Sequence, residues 1–262
     1  MRFCCFPSKS QNDNISGYDP VDHDFFQIGI ARDKNNQKDM DDAYTVSIPF
    51  MKSACTGFFA MFDGHGGKET AREASIQLQA FLQSQIRSVG LYPDFKACFE
   101  AAYARTDTHV ASLPACKTSG AAAVTMIISK TGNKGHLYVA NAGDCRAILS
   151  RRSRAVRLTH DHRTTDEAEK QRIIAAGGFV SEDRVQSVIR VTRAIGDPLL
   201  KQWIISNPHY VETDLDPSDS LVLLVGHSVW EVIDDQECIS LSRGFRDTFL
   251  PDTPMGLQRP AT

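Results

Sequence analysis

The stretch FFAMFDGHGG, residues 58–67, is apolar and aromatic through Phe62 and then stops on Asp63, Gly64, His65, Gly66 and Gly67. Upstream, YTVSI (44–48) is another β-rich run, and the connecting PFMKSACT contains Pro49 and reads as a hairpin link. Paired antiparallel, the start of the first strand lies beside the end of the second. Asp39, Asp41 and Asp42 of DMDDAY then meet Asp63 at one sheet edge. Hard divalent ions such as magnesium and manganese take carboxylate, carbonyl and water oxygens, and Gly64 lets a backbone carbonyl approach where a side chain would obstruct. Alone, Asp41 and Asp42 read as a solvated turn; together with Asp63 they read as a cation site. His65 beside such a site is either a proton donor, titrating near neutrality, or an inert histidine of a glycine-rich turn. Asp144, in NAGDCR, sits at a further strand end and reads equally as a β-turn aspartate.

The chain of 262 residues, 42% hydrophobic, is long enough to bury one substantial core. With 29 basic against 32 acidic residues it lacks the cationic excess of a nucleic-acid binder, and no apolar run is long enough to span a bilayer. Seven cysteines without a C-x-x-C pair read as reduced, mostly buried thiols of an intracellular protein, cytoplasmic or nuclear. Residues 1–24 read as a polar, disordered leader. Cys4 and Cys5 are candidate acyl acceptors there, while Arg2 stands where N-myristoylation needs glycine.

Residues 25–242 read as a single domain. Ala71, Ala74, Leu78, Phe81 and Leu82 recur at helical spacing in KETAREASIQLQAFLQSQI, and Phe95, Phe99, Ala102 and Thr106 repeat the pattern, so two helices are expected side by side on a sheet. AAVTMIIS (122–129), HLYVANAG (136–143), CRAILS (145–150) and AVRL (155–158) follow as a meander, and SLVLLVG (220–226) as a further buried strand. A capping box from Thr164 to Glu167 opens another helix, which Gly177 and Gly178 close. Residues 243–262, with three prolines, read as an irregular tail. The fold class expected is α+β, with antiparallel sheets covered by helix pairs.

MDDAY, FAMFDGHGG, LYVANAGDCRAIL, LTHDHRTTDEAEKQRIIAAGGFV, RVTRAIGD and WEVIDDQE occur in an order that resembles the metal-dependent type 2C protein phosphatases, which hydrolyse phosphoserine and phosphothreonine. The resemblance covers roughly residues 27–240. It implies a sandwich of two antiparallel β-sheets flanked by helix pairs, two magnesium or manganese ions in a cleft, and a phosphoprotein as substrate or partner of a monomer. It further implies that Asp63 bridges the ions, that Gly64 offers its carbonyl and that Asp41 stands at a glutamate ligand position. Asp42 would hold metal-bound water, Asp144 a third and weaker ion, and His65 would protonate the leaving oxygen.

The sequence departs from that pattern in four places. LLVGHSVWEV carries His227-Ser228 where the family has an Asp-Gly whose aspartate binds the second ion, so His227 becomes the candidate ligand and that site is in doubt. The family's final helix, Asp-Asn ligand and last strand have no counterpart. Gln37 occupies the place of a phosphate-binding arginine, leaving Arg32 and Lys38 as substitutes. Ser187 and Arg190 stand where glycine and a small apolar residue are usual, and Arg190 is expected to be costly on a core-facing strand unless paired. Two alternatives follow: a slow phosphatase, or a non-catalytic relative that binds phosphoproteins.

Overall fold

A computed structural model of the chain describes residues 2–4, 21–23, 26–31, 39–90, 93–131 and 134–249. One sheet is built from β4 (Ala43–Ser47), β5 (Thr56–His65), β6 (Gly120–Thr131), β7 (Lys134–Ala142) and β13 (His209–Leu215), in the order β13-β7-β6-β5-β4, with β12 (Ile195–Gly196) also on β6. The other contains β1 (Arg2–Cys4), β2 (Val21–His23), β3 (Phe26–Gly29), β8 (Arg146–Arg151), β9 (Arg154–Arg157) and β14 (Asp219–Val225), in the order β2-β3-β1-β14-β8-β9. All pairings are antiparallel except those of β1, which runs parallel to β3 and β14. A small ribbon of β10 (Val180–Ser181) and β11 (Arg184–Val185) stands apart from both sheets.

The period-2 alternation of β5 explains the layering. Phe58, Ala60 and Phe62 face a core shared with α1 (Glu69–Val89) and α2 (Phe95–Ser112), while Phe59 and Met61 face the interior of the sandwich. There Phe59, Val124, Met126 and Val139 of one sheet meet Ala147, Leu149, Val222 and Leu224 of the other. The helix pair buries the expected stripe, with Ala71, Ala74, Leu78 and Leu82 of α1 against Phe99, Ala102 and Thr106 of α2. Leu78 is fully buried in this layer. Leu78→Ala is therefore expected to remove about 2–5 kcal/mol of stability, read by urea denaturation.

The outer face of the second sheet carries a thinner cover. Ile148, Leu223 and Val225 pack on Val229 of the one-turn helix α4 (His227–Trp230) and on Cys238 and Ile239 of α5 (Asp235–Phe249). Arg146 pins α5 to the sheet through Asp161 and Asp235, with its guanidinium over the Trp230 ring. Among the described residues only the first sheet carries a full helix pair. Among the described residues no helix is long and apolar enough to cross a membrane. Cys98, Cys116, Cys145 and Cys238 are buried thiols.

The structure corrects the sequence reading at four points. The helix α5 continues to Phe249, past residue 243 where an irregular tail is expected. Asp234 opens it by accepting the Glu237 amide, and Cys238, Ile239 and Ser242 bury one face through its first two turns. The leader is not wholly irregular: β1 covers the edge of β14 that β8 leaves unpaired, and β2 pairs with β3. Cys4 thus lies in a strand, while Cys5 is outside the described residues. Helix α3 (Glu167–Ala175) is capped by Asp166, whose carboxylate accepts the Ala168 and Glu169 amides, while Thr164 gives its hydroxyl to the Asp183 carbonyl. Arg190 is more than half exposed and faces Glu231 at 3.7 Å, so no charge is buried there.

Candidate active site

The hairpin and sheet ends converge as the chain order requires. Asp63 and Gly64 sit at the end of β5 beside β6, and the Gly64 amide donates to Asp42 Oδ1 at 3.3 Å. Gly64 is obligatory in this packing: a Cβ there would lie 2.2 Å from the Asp41 carbonyl oxygen. The Asp41 carbonyl therefore lies against Gly64. From the second sheet, the His227 amide donates to Asp63 Oδ2 at 2.8 Å. Gly226 makes that approach possible, since a Cβ on it would fall 2.9 Å from the same oxygen.

The electrostatics of this corner are strongly unbalanced. Burial, then the charge of Asp42 and in smaller part that of Asp144, push the Asp63 carboxyl up to about 7, against the stabilising His227 amide. Burial and the charge of Asp41 likewise raise Asp42, although the Gly64 amide opposes them. Half-buried carboxylates held together in this way make a site for a cation. Among the described residues no three acidic, histidine or cysteine side chains form a ready coordination set. The donors at Asp63 are instead one or two carboxylates with backbone carbonyls nearby, a set that suits an ion keeping several waters, such as magnesium. A hydrated divalent ion is compatible with the donors beside Asp63 on these grounds.

A second ion does not fit the position of His227. Its imidazole takes the Arg163 guanidinium on one side, with Nη2 against Nδ1 and 3.1 Å from Nε2, and Glu231 on the other at 3.0 Å. Only the backbone of His227 reaches Asp63, so a role for its ring as a metal ligand is not what the packing provides. Arg163 also holds Asp144, with Nε at 2.9 Å and Nη2 at 2.8 Å from Oδ2. Arg32 and Lys38 lie outside the described residues.

His65 points its Nε2 at Asp197, 2.8 Å from Oδ2 and 3.0 Å from Oδ1. Burial pulls the imidazole pKa down, but the hydrogen bond and charge of Asp197, with Asp63 and Asp144 behind, outweigh it and leave it raised. Asp197 is buried and left-handed, at φ +52°, a conformation that costs a non-glycine residue energy and is tolerated where the surroundings impose it. Those surroundings are specific. The Asp197 amide donates to Ser119, the Gly196 amide to Asp107, and Lys201 closes on the same Asp107 carboxylate at 2.7 Å. Upstream, Glu169 of α3 accepts from Arg172, Thr192 and Arg193, contacts that outweigh its burial and hold its pKa down at about 2.

Gly120 of β6 leaves room for the pair. A Cβ there would lie 2.1 Å from Asp197 Oδ2 and 2.4 Å from His65 Nε2. Gly120→Ala is expected to drive the two apart and to cost about 1–3 kcal/mol of stability, with the imidazole titrating at lower pH than in the parent when followed by NMR.

These groups line one cavity of about 540 Å³, with Asp63, Asp144, His65 and Asp197 in its wall and Lys117, Arg184 and Arg190 around it. The cavity thus sets three carboxylates and a carboxylate-paired histidine among Lys117, Arg163, Arg184 and Arg190 at one end of the sandwich. The chain belongs to the protein phosphatase 2C family, which it matches over residues 26–254. It is 31% identical to Probable protein phosphatase 2C 59 of Arabidopsis thaliana over 91% of this chain and 76% of that one. Probable protein phosphatase 2C 32 of Oryza sativa subsp. japonica is 33% identical over 85% of this chain, which spans 57% of that relative's length. The solved serine-threonine phosphatase 2C from Toxoplasma gondii shares the fold, at a TM-score of 0.78 and 17% identity, covering 90% of this chain and 88% of that one.

Sequence reasoning missed three residues. Asp197 closes the RVTRAIGD motif, where an aspartate after glycine was the available signal, but its partner is 132 residues away. Arg163 sits in HDHRTT, and nothing in that string marks it. Gly120 follows Ser119 without any turn signature.

Proposed function

We propose that the chain hydrolyses phosphoserine and phosphothreonine side chains of proteins, using water and one divalent ion held at Asp63. The observation that carries this reading is the half-buried Asp63, which the neighbouring Asp42 helps push up to about 7, in the wall of the same cavity as the His65–Asp197 pair. Family membership and the two phosphatase-named relatives support it. Asp63, the Gly64 carbonyl and, through water, Asp42 would hold the ion. A bound magnesium or manganese supplies charge neutralisation at the phosphoryl oxygens and lowers the pKa of a nearby water.

The chain's own groups do the rest. Asp197 stabilises the imidazolium of His65 and fixes its orientation through Nε2, leaving Nδ1 as the proton source. As the bond from water oxygen to phosphorus forms, the bond to the seryl or threonyl oxygen breaks, and that oxygen takes the Nδ1 proton. Water's proton passes to solvent, and inorganic phosphate and the free hydroxyl leave. The Arg184 and Arg190 guanidiniums at the cavity favour phosphorylated and acidic segments over neutral ones.

The test is phosphate release from a phosphothreonine peptide in magnesium, in manganese and with chelator. Turnover that requires the divalent ion is the expected result. Turnover that survives chelation refutes the reading. A cooperatively melting protein with no turnover in either metal points instead to the phosphoprotein-binding alternative, which the closure of His227 by Arg163 and Glu231 favours.

A further inference from the structure

We infer that Arg163 is a fixed cation standing in place of a second divalent ion, so that the chain takes one metal ion rather than two. The inference rests on the reading of Asp63 as a cation site and goes beyond it. Four observations place the guanidinium there. Nε and Nη2 both reach Asp144 Oδ2, at 2.9 and 2.8 Å, so the carboxylate opposite Asp63 is already neutralised. Nη2 also packs on the His227 ring, whose Nε2 is held from the far side by Glu231, so no ring nitrogen of His227 is left to ligate an ion. The Arg163 main chain is fixed by an antiparallel bridge to Val191, and its side chain lines the cavity. Finally, Nη1 has no hydrogen-bond partner among the described residues, which leaves a donor for a phosphoryl oxygen.

The chemistry favours this exchange. A guanidinium keeps its charge at any pH the protein survives, and its planar fork suits phosphoryl oxygens as well as carboxylates. A divalent ion placed between Asp144 and His227 would meet like charge at contact distance, with one carboxylate fewer to offset it. The substitution at position 227 and the reach of Arg163 therefore belong together: an imidazole accepts the guanidinium, and the site keeps part of its positive charge without the second ion.

The experiment counts manganese on the intact chain. Mn²⁺ is titrated in calorimetry, and the saturated protein is examined by electron paramagnetic resonance, in which two ions about 3.5–4 Å apart couple and a single ion does not. One ion per chain with an uncoupled spectrum is the expected result. Two ions with a coupled spectrum overturn the inference and leave the metal-dependent reading standing, whereas no bound ion overturns both. The double variant Arg163→Met with His227→Asp is expected to take two ions, and Arg163→Lys, which keeps the charge, one. A double variant that melts cooperatively and still takes one ion removes Arg163 as the cause. Should it fail to fold, the count on the parent chain decides.

Discussion

Asp63→Asn is expected to abolish phosphate release while raising the stability of the metal-free protein above neutral pH. The two effects have one cause. Asp63 is half-buried between Asp42 and Asp144, and its pKa rises from 3.8 to about 7. Between those values the folded chain binds a proton that the unfolded chain has already lost, so stability falls as pH rises from about 4 to about 7 and is level above that. At about 1.4 kcal/mol for each pKa unit, the loss in metal-free protein is up to about 4 kcal/mol. Asparagine carries no charge to desolvate, so its melting temperature should exceed the parent's at pH 8 and approach it near pH 4. A divalent ion reverses the order: magnesium or manganese should stabilise the parent and leave the variant nearly unchanged. Without that carboxylate, several kcal/mol of transition-state charge stabilisation is lost, about 10³-fold in rate or more. A variant that is both less stable at pH 8 and still active would show that Asp63 is a structural carboxylate.

This opposition between stability and chemistry bears on what the sequence could disclose. The FFAMF alternation and the hairpin link are local, and they fix the face and direction of β4 and β5 without knowledge of anything distant. The meeting of Asp42 with Asp63 follows from that pairing alone. Contacts made by long side chains between remote segments leave no such trace. Asp197 reaches His65 through a left-handed turn pinned by Asp107 and Ser119, and none of those residues forms a pattern with the others. No local pattern marks Arg163, because only the folded packing aims it at Asp144. Residues 243–262 read as an irregular tail, yet α5 continues to Phe249 because its earlier turns are anchored on the sheet through Cys238 and Ile239. Ser187 in turn keeps φ +58° where the family favours glycine, so the turn geometry persists at a local cost. The legible part is what neighbouring residues determine; the illegible part is what the tertiary structure imposes on single side chains.

The His65–Asp197 pair makes the other large prediction, and it separates proton donation from simple support. With phosphothreonine as substrate the leaving oxygen is that of an aliphatic alcohol, too basic to depart without a proton. Loss of the donor in His65→Ala is expected to slow turnover by about 10²–10⁴-fold. With an aryl phosphate such as p-nitrophenyl phosphate, the leaving phenolate is stable by itself, and the same variant should lose far less. Asp197→Asn supplies the complementary reading. It removes the hydrogen-bonded carboxylate that most opposes burial in setting the His65 pKa, so that pKa should fall. Because the acid form is the active one, the high-pH limb of the rate profile should then move to lower pH, with phosphothreonine turnover at pH 7.5 reduced most and turnover near pH 5.5 least. Equal losses on both substrates, with an unmoved pH profile, would show that His65 only shapes the cleft. A substrate-dependent loss together with a displaced limb would place the proton on His65, and the glycine opposite it at position 120 would then be the residue that keeps the donor and its carboxylate together.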